Sequence, residues 1–472
     1  MKQKQLLWAG ALLAAAVLLS ACAGRSENPP IRPTTEDVTD AEPAGTTDTA
    51  NEVEDPIDYD ALSRIPFANL EASAERDFTT EDRGDGVAVT AYVGSEERVR
   101  IPDRIGGKPV VALSDGAFRG KSGIKVLWIP DSVTEFGSEI LVGTTSLYAL
   151  HTPIPREEGK RFLGWLFGAE SYERNNAQDL RHVDFLEIGG TERALPDFAL
   201  YDCNDLVTVR LPETMTEIGN WAFARCASLK QLDLSRVSQV GEGALLGCTS
   251  LSEVTLPALE RIGREALGSC NGLRRLTLPF AGESRTENRF LGWLFGARTA
   301  LESEGLYPSG LREVVLTDGT VSLADYAFYA ATMRAVTVGT GAVEVGVRAF
   351  GGCENLREVS LPAGITAIRE HAFSGCTALV TVTLPAGVTE LGINTFLGCT
   401  ALETVTLPQT LGNLPSGAFY GCRRLKSVDM RGVRAVGSNA FRGCDALETL
   451  RTAGDVSFAE GNDRAESLVG KG

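Results

Sequence analysis

Histidine is scarce in this chain: His151, His182 and His371 are the only ones in 472 residues. They lie far apart, and none has a metal-ligand spacing such as H-E-x-x-H. No G-x-S-x-G elbow and no G-x-x-x-x-G-K-[ST] phosphate loop occurs, and no carboxylate pair stands out as an acid/base couple. We therefore expect no enzyme, cofactor or metal centre. Basic charge is also short: 45 Lys and Arg stand against 62 Asp and Glu, a net charge of −17. Without a basic footprint the composition offers nothing to nucleic acid. Long hydrophobic runs are missing as well. "LLWAGALLAAAVLL", near the start, is about 14 residues and too short to span a bilayer comfortably.

That run follows a short cationic start, "MKQKQ", and ends in Leu19-Ser20-Ala21-Cys22. The pattern resembles the lipobox of bacterial lipoproteins. The resemblance implies that 1–22 is a signal peptide ending at the lipobox cysteine, and that Cys22 is lipidated. The chain would then be extracytoplasmic, anchored to the bacterial membrane or cell surface. The alternative is an ordinary secretory signal with a chance cysteine. The segment 23–65 has no apolar period, is rich in Thr, Pro, Asp and Glu, and holds a large part of the net negative charge. Such a stretch buries too little apolar surface to offset the entropy of ordering, so it reads as a solvated acidic tether.

The remaining cysteines are periodic. They fall at 203, 226, 248 and 270, then at 353, 376, 399, 422 and 444, in steps of 22 or 23. Aligned on them, one phrase recurs: "AFGGCENLREVSLP" (349–362), "AFSGCTALVTVTLP" (372–385) and "TFLGCTALETVTLP" (395–408). A fixed period in the twenties means a solenoid. Within Leu379-x-x-Val382-x-Leu384, alternation makes a short strand, and Pro385, with no N–H to donate, closes it. Each coil has an apolar flank that only a neighbouring coil can cover. Phe118, Phe223, Phe328, Phe350, Phe373, Phe396, Phe419 and Phe441 share one register and are expected to form a continuous row. The repeat cysteines are odd in number and follow the coil. Their slot is taken elsewhere by Lys121, Thr144 or Ala331. A ladder of buried free thiols fits better than disulfides, and a regular stack gives no tetrahedral metal site.

The phrase resembles the BspA-type leucine-rich repeat of bacterial surface proteins, over roughly residues 78–453. The resemblance implies a curved leucine-rich-repeat solenoid, a right-handed superhelix rich in short strands, placed on a cell surface and often engaged in adhesion. We expect the solenoid over 66–454 with a cap near 78–108, and a tail over 455–472. Insertions near 154–179 and 280–310 each carry the nonapeptide "RFLGWLFGA", at Arg161–Ala169 and Arg289–Ala297. The repeat reads as a duplicated block whose apolar string packs on the solenoid; the alternative is an exposed aromatic knob at Trp165 or Trp293.

Function is then expected on the surface. The x positions of each L-x-x-V-x-L strand face solvent. They place Trp128, Tyr148 and His151 on neighbouring coils near the start, and Arg274, Arg312, Arg334 and Arg357 in a basic stripe along the middle. Aromatic and arginine side chains dominate binding hot spots, although the same row would also suit an ordinary solvated sheet. These residues form the candidate face for a protein or glycan ligand. The readings that compete are a lipid-anchored binding protein, a structural envelope protein without a ligand, and a substrate-capturing lipoprotein of an uptake system.

Overall fold

In the computed structural model, residues 66–469 are described, apart from 68, 177, 318, 320 and 321. Cys22, the signal segment and the acidic tether lie outside the described residues.

The alternation in Thr381-Val382-Thr383 does what it dictates. Val382 is buried and the two threonines are exposed. The strand pairs in parallel with Thr404–Thr406, and that strand with Ser427–Asp429, Val382 opposite Val405 opposite Val428. Repetition of this unit builds a solenoid of about 16 turns. Its strand face is a parallel ladder in three runs, over residues 98–232, 253–360 and 381–451. A second ladder of two-residue strands, such as Ala367–Ile368 beside Glu390–Leu391, runs along another flank. Here coils approach so closely that Gly392 has no room for a side chain: a Cβ would lie 2.2 Å from the Glu370 nitrogen.

Between the two ladders the coil turns through the Phe and Cys positions. Phe328, Phe350, Phe373, Phe396, Phe419 and Phe441 stack in sequence, with ring centroids 5.0–5.6 Å apart. The row is not continuous to Phe118, as the sequence suggested. Leu141, Leu200, Leu245 and Leu267 occupy the same rung position, so Phe223 has leucine on both sides. At the start, Tyr92 stacks on Phe118 and closes the row.

The nine cysteines of the described residues are buried and free. From Cys226 onward each thiol reaches back one coil and donates to the main-chain carbonyl at the Phe position, at 2.9–3.2 Å. That carbonyl already accepts the N–H of its own coil, and the thiol takes its second lone pair. Thr144 fills the slot with a hydroxyl that donates to the Leu141 carbonyl at 2.7 Å. Burial pushes the thiols of Cys353 and Cys399 up to about 12, away from any reactive thiolate.

Both ends are covered. Phe78–Asp82 pairs antiparallel with Val87–Tyr92, which lies parallel to Lys108–Leu113. At the other end, Ser457–Phe458 continues the second ladder. Buried Asn462 then accepts the Phe441 N–H through Oδ1 and donates to the Gly437 carbonyl. The segment read as a tail thus supplies a further rung and a side-chain cover, because Asn462 satisfies main-chain groups such as the Phe441 N–H, whose counterparts in earlier coils bond to the next coil's main chain.

The nonapeptides do not interrupt the stack either. Each forms a 3-10 turn, Leu163–Phe167 and Leu291–Phe295. Leu141 donates its N–H to the Leu166 carbonyl, and Leu163 donates onward to Ala199. In the second copy, Leu267 donates to Leu294 and Leu291 to Ala327. Each insertion is therefore a rung in a long coil. Strand partners Ala149 and Phe185 are 36 residues apart, and Arg275 and Glu313 are 38 apart.

Candidate functional site

The strand ladder settles which outward side chains are neighbours. At its start Trp128 lies beside His151 in register, their rings stacked with centroids 3.4 Å apart. This pair is not open to solvent, in contrast to the expectation. Phe67 and Leu70 lie across it, Phe67 edge-on to Trp128 at 5.3 Å and to Phe185 at 5.8 Å. Arg98 and Arg100 fasten this segment by donating to the carbonyls of Pro66 and Leu70. His151 is 3% exposed and Trp128 half-buried. The His151 Nδ1 lies 3.0 Å from the Ile129 carbonyl, which fixes the tautomer with the proton on Nδ1. Burial lowers the His151 pKa and outweighs the nearby Asp131 carboxylate, which raises it. These two residues are thus a covered aromatic cluster. The sequence signal was "IPFANL" (65–70), an apolar string directly after the acidic tether. Tyr148, one position outside this cluster, is 38% exposed and stays on the surface.

The arginine stripe is assembled as expected, and its spacing is now explicit. Arg312 donates its main-chain N–H to the Arg274 carbonyl, Arg334 to Arg312, and Arg357 to Arg334, each at 2.8 Å. The four sit on consecutive rungs, roughly 4.8 Å apart. The long second-insertion coil keeps Arg274 and Arg312 adjacent although 38 positions separate them. All four side chains are exposed. Those of Arg312, Arg334 and Arg357 make no ion pair and no hydrogen bond among the described residues. Glu313 and Glu358 follow in the next position, and Arg275 holds Glu313 at 3.4 Å. Like charges at this spacing repel by up to about 1 kcal/mol per pair in water. The guanidinium forks of Arg312, Arg334 and Arg357, exposed and without an ion pair among the described residues, can grip carboxylates or sulfates bidentately.

The repeated tryptophans do structural work. Trp165 Nε1 donates to the Gly137 carbonyl at 2.9 Å, and Trp293 Nε1 to Ile262 at 3.1 Å, each reaching back to an earlier coil. Leu163, Leu166 and Phe167 around Trp165 are buried. Asn175, fully buried, accepts the Gly164 N–H at 2.5 Å and pins the first turn. Trp165→Ala is therefore expected to cost about 2 kcal/mol, less than a fully buried ring, and to lower the thermal midpoint. Thermal unfolding followed by circular dichroism checks this. An unchanged midpoint would return Trp165 to the role of exposed knob.

Among the described residues no group of three His, Cys, Asp or Glu side chains is placed to hold a metal ion, and no helix is long and apolar enough to cross a membrane.

The family model described as "BspA type Leucine rich repeat region" matches residues 178–292 and 309–455 in 6 copies, more than half of the chain. No curated protein matches. Solved structures that are similar include a leucine-rich cell surface protein from Faecalibacterium prausnitzii A2-165 (21% identity, 84% of this chain and 97% of that chain, TM-score 0.30). A leucine-rich repeat protein from Bacteroides ovatus ATCC 8483 is similar at 20% identity over 80% of this chain and 98% of that chain, TM-score 0.33. The leucine-rich repeat protein of T. pallidum is similar at 18% identity over 85% of this chain and 98% of that chain, TM-score 0.22.

Proposed function

Because the chain belongs to the BspA-type leucine-rich repeat family, we propose that it is a lipid-anchored, extracytoplasmic binding protein whose strand face captures an acidic partner at the bacterial surface. The observation that carries this reading is the row Arg312, Arg334 and Arg357, exposed on consecutive rungs and without an ion pair among the described residues. The net charge of −17 does not oppose it. Exposed charges farther away than about 8 Å are largely screened at physiological ionic strength, so a partner senses the row locally. The partner's chemistry is a chain of carboxylates or sulfates, carried by an acidic glycan or an acidic protein segment.

The test uses the full-length protein against arrayed sulfated and uronate-bearing glycans and immobilised acidic polypeptides. Which array binds distinguishes the two sources. Replacing Arg312, Arg334 and Arg357 together by Ser is expected to weaken binding by about tenfold or more, since hydrogen bonds to charged groups contribute about 1.5–3 kcal/mol each. Stability should stay within about 0.5 kcal/mol per site, as is usual for surface changes. Wild-type affinity in the triple variant, or no acidic ligand at all, would reject the reading and leave a structural envelope role.

A further inference from the structure

The duplication of the nonapeptide has a consequence on the other ladder. Among the described residues, neither insertion coil contributes a strand there. The four strands Ala194–Leu195, Glu217–Ile218, Gln239–Val240 and Arg261–Ile262 therefore form a separate parallel sheet with an insertion at each end. On the turn flank, the hydrogen-bond relay from Leu163 to Leu294 passes through Ala199, Ala222, Ala244 and Ala266. The two 3-10 turns are thus five rungs apart, about 24 Å at the usual strand spacing. Above this sheet lies a cleft of about 960 Å³. Phe162 and Tyr172 of the first insertion wall one end, and Trp293 and Glu283 of the second wall the other.

The floor is polar and graded. Glu217, Gln239 and Arg261 stand in register on successive rungs, all exposed. Glu217 and Gln239 have no side-chain partner among the described residues. Arg261 is held by Glu283 and by Glu287, the latter at 3.1 Å. Next to them, Asp197 and Asn220 are occupied: each accepts a main-chain N–H of the following rung through Oδ1.

This chemistry narrows the ligand. The floor's main chain is already bonded from rung to rung, so a peptide cannot add as a strand. Leu195, Ile218 and Val240 on the floor strands are buried and offer little apolar surface to anchor a hydrophobic side chain. Its charges are mixed, with Arg261 neutralised, so neither a polyanion nor a polycation is favoured. What remains is an acceptor, an amide that both donates and accepts, and a tethered donor, one rung apart, between aromatic walls. We propose that the cleft binds a neutral, extended oligosaccharide. Successive sugar hydroxyls meet Glu217, Gln239 and Arg261, and the C–H faces of the terminal rings meet Tyr172 and Trp293. This site lies on a different ladder from the arginine row and does not depend on it.

The probes are cellohexaose, mannohexaose, maltohexaose and chitohexaose, titrated into the full-length protein by calorimetry and by tryptophan fluorescence. At least one is expected to bind and to perturb the fluorescence. A variant carrying Glu217→Ala and Gln239→Ala should bind it about tenfold or more weakly, with an unchanged unfolding midpoint, because both side chains are exposed and unpartnered. The triple variant Arg312→Ser, Arg334→Ser, Arg357→Ser should bind it as the wild type does. Binding of none of the four hexasaccharides would overturn the proposal. So would wild-type affinity in the Glu217, Gln239 variant, or loss of hexasaccharide binding in the arginine variant.

Discussion

Phe373→Ala is expected to destabilise the solenoid by about 3–5 kcal/mol, the range for loss of a buried aromatic ring from a core. Phe373 is fully buried and stacks on both sides, on Phe350 at 5.0 Å and on Phe396 at 5.3 Å. In a stack of coils the neighbour interfaces supply most of the stability. One truncation here weakens two interfaces at once. Phe223→Ala is the matched comparison, since Phe223 is equally buried but flanked by leucines. It should cost less by the stacking contribution, about 0.5–1.5 kcal/mol for each aromatic pair. Denaturant unfolding of both variants reads the difference. Equal losses would show that ring stacking adds nothing beyond burial.

The second large effect concerns the anchor. With Cys22 lipidated as we propose, Cys22→Ala is expected to abolish acyl labelling and move the protein out of the detergent phase. Each buried methylene contributes roughly 0.8 kcal/mol to membrane affinity, so more than one acyl chain holds firmly and none does not hold at all. The acidic tether adds no attraction to an anionic membrane surface. Metabolic labelling with a fatty acid, followed by phase partitioning, checks the result. A variant that keeps its label would contradict the lipobox assignment.

The solenoid was legible because its signal is periodic and redundant. The steps of 22 or 23 between cysteines, the strand alternation and the terminal proline all report one coil. The arginine stripe was legible for the same reason: Arg334 and Arg357 occupy the same repeat position. Features that depend on which coil follows which in space were not legible. The insertions looked like interruptions because 36 and 38 residues break the period, and only the bonds of Leu163 and Leu291 reveal them as rungs. His151 occupies an outward strand position, yet Phe67, from a segment 84 residues earlier, covers it. Alternation within a strand cannot report a cover supplied by another part of the chain. The cleft between the insertions escaped for a further reason. Its floor residues Glu217, Gln239 and Arg261 share no motif and become neighbours only through the register of the second ladder.

Arginine footprinting tests the binding face most directly. The full-length protein, alone and with the acidic ligand selected on the arrays, is treated with phenylglyoxal and the modified sites are mapped by mass spectrometry. Arg312, Arg334 and Arg357 are expected to react in the free protein and to be protected together when the ligand is bound. Exposed arginines elsewhere, such as Arg119 and Arg442, keep their reactivity. Protection confined to other arginines, with Arg312, Arg334 and Arg357 still fully modified in the complex, would contradict the assignment of the binding face.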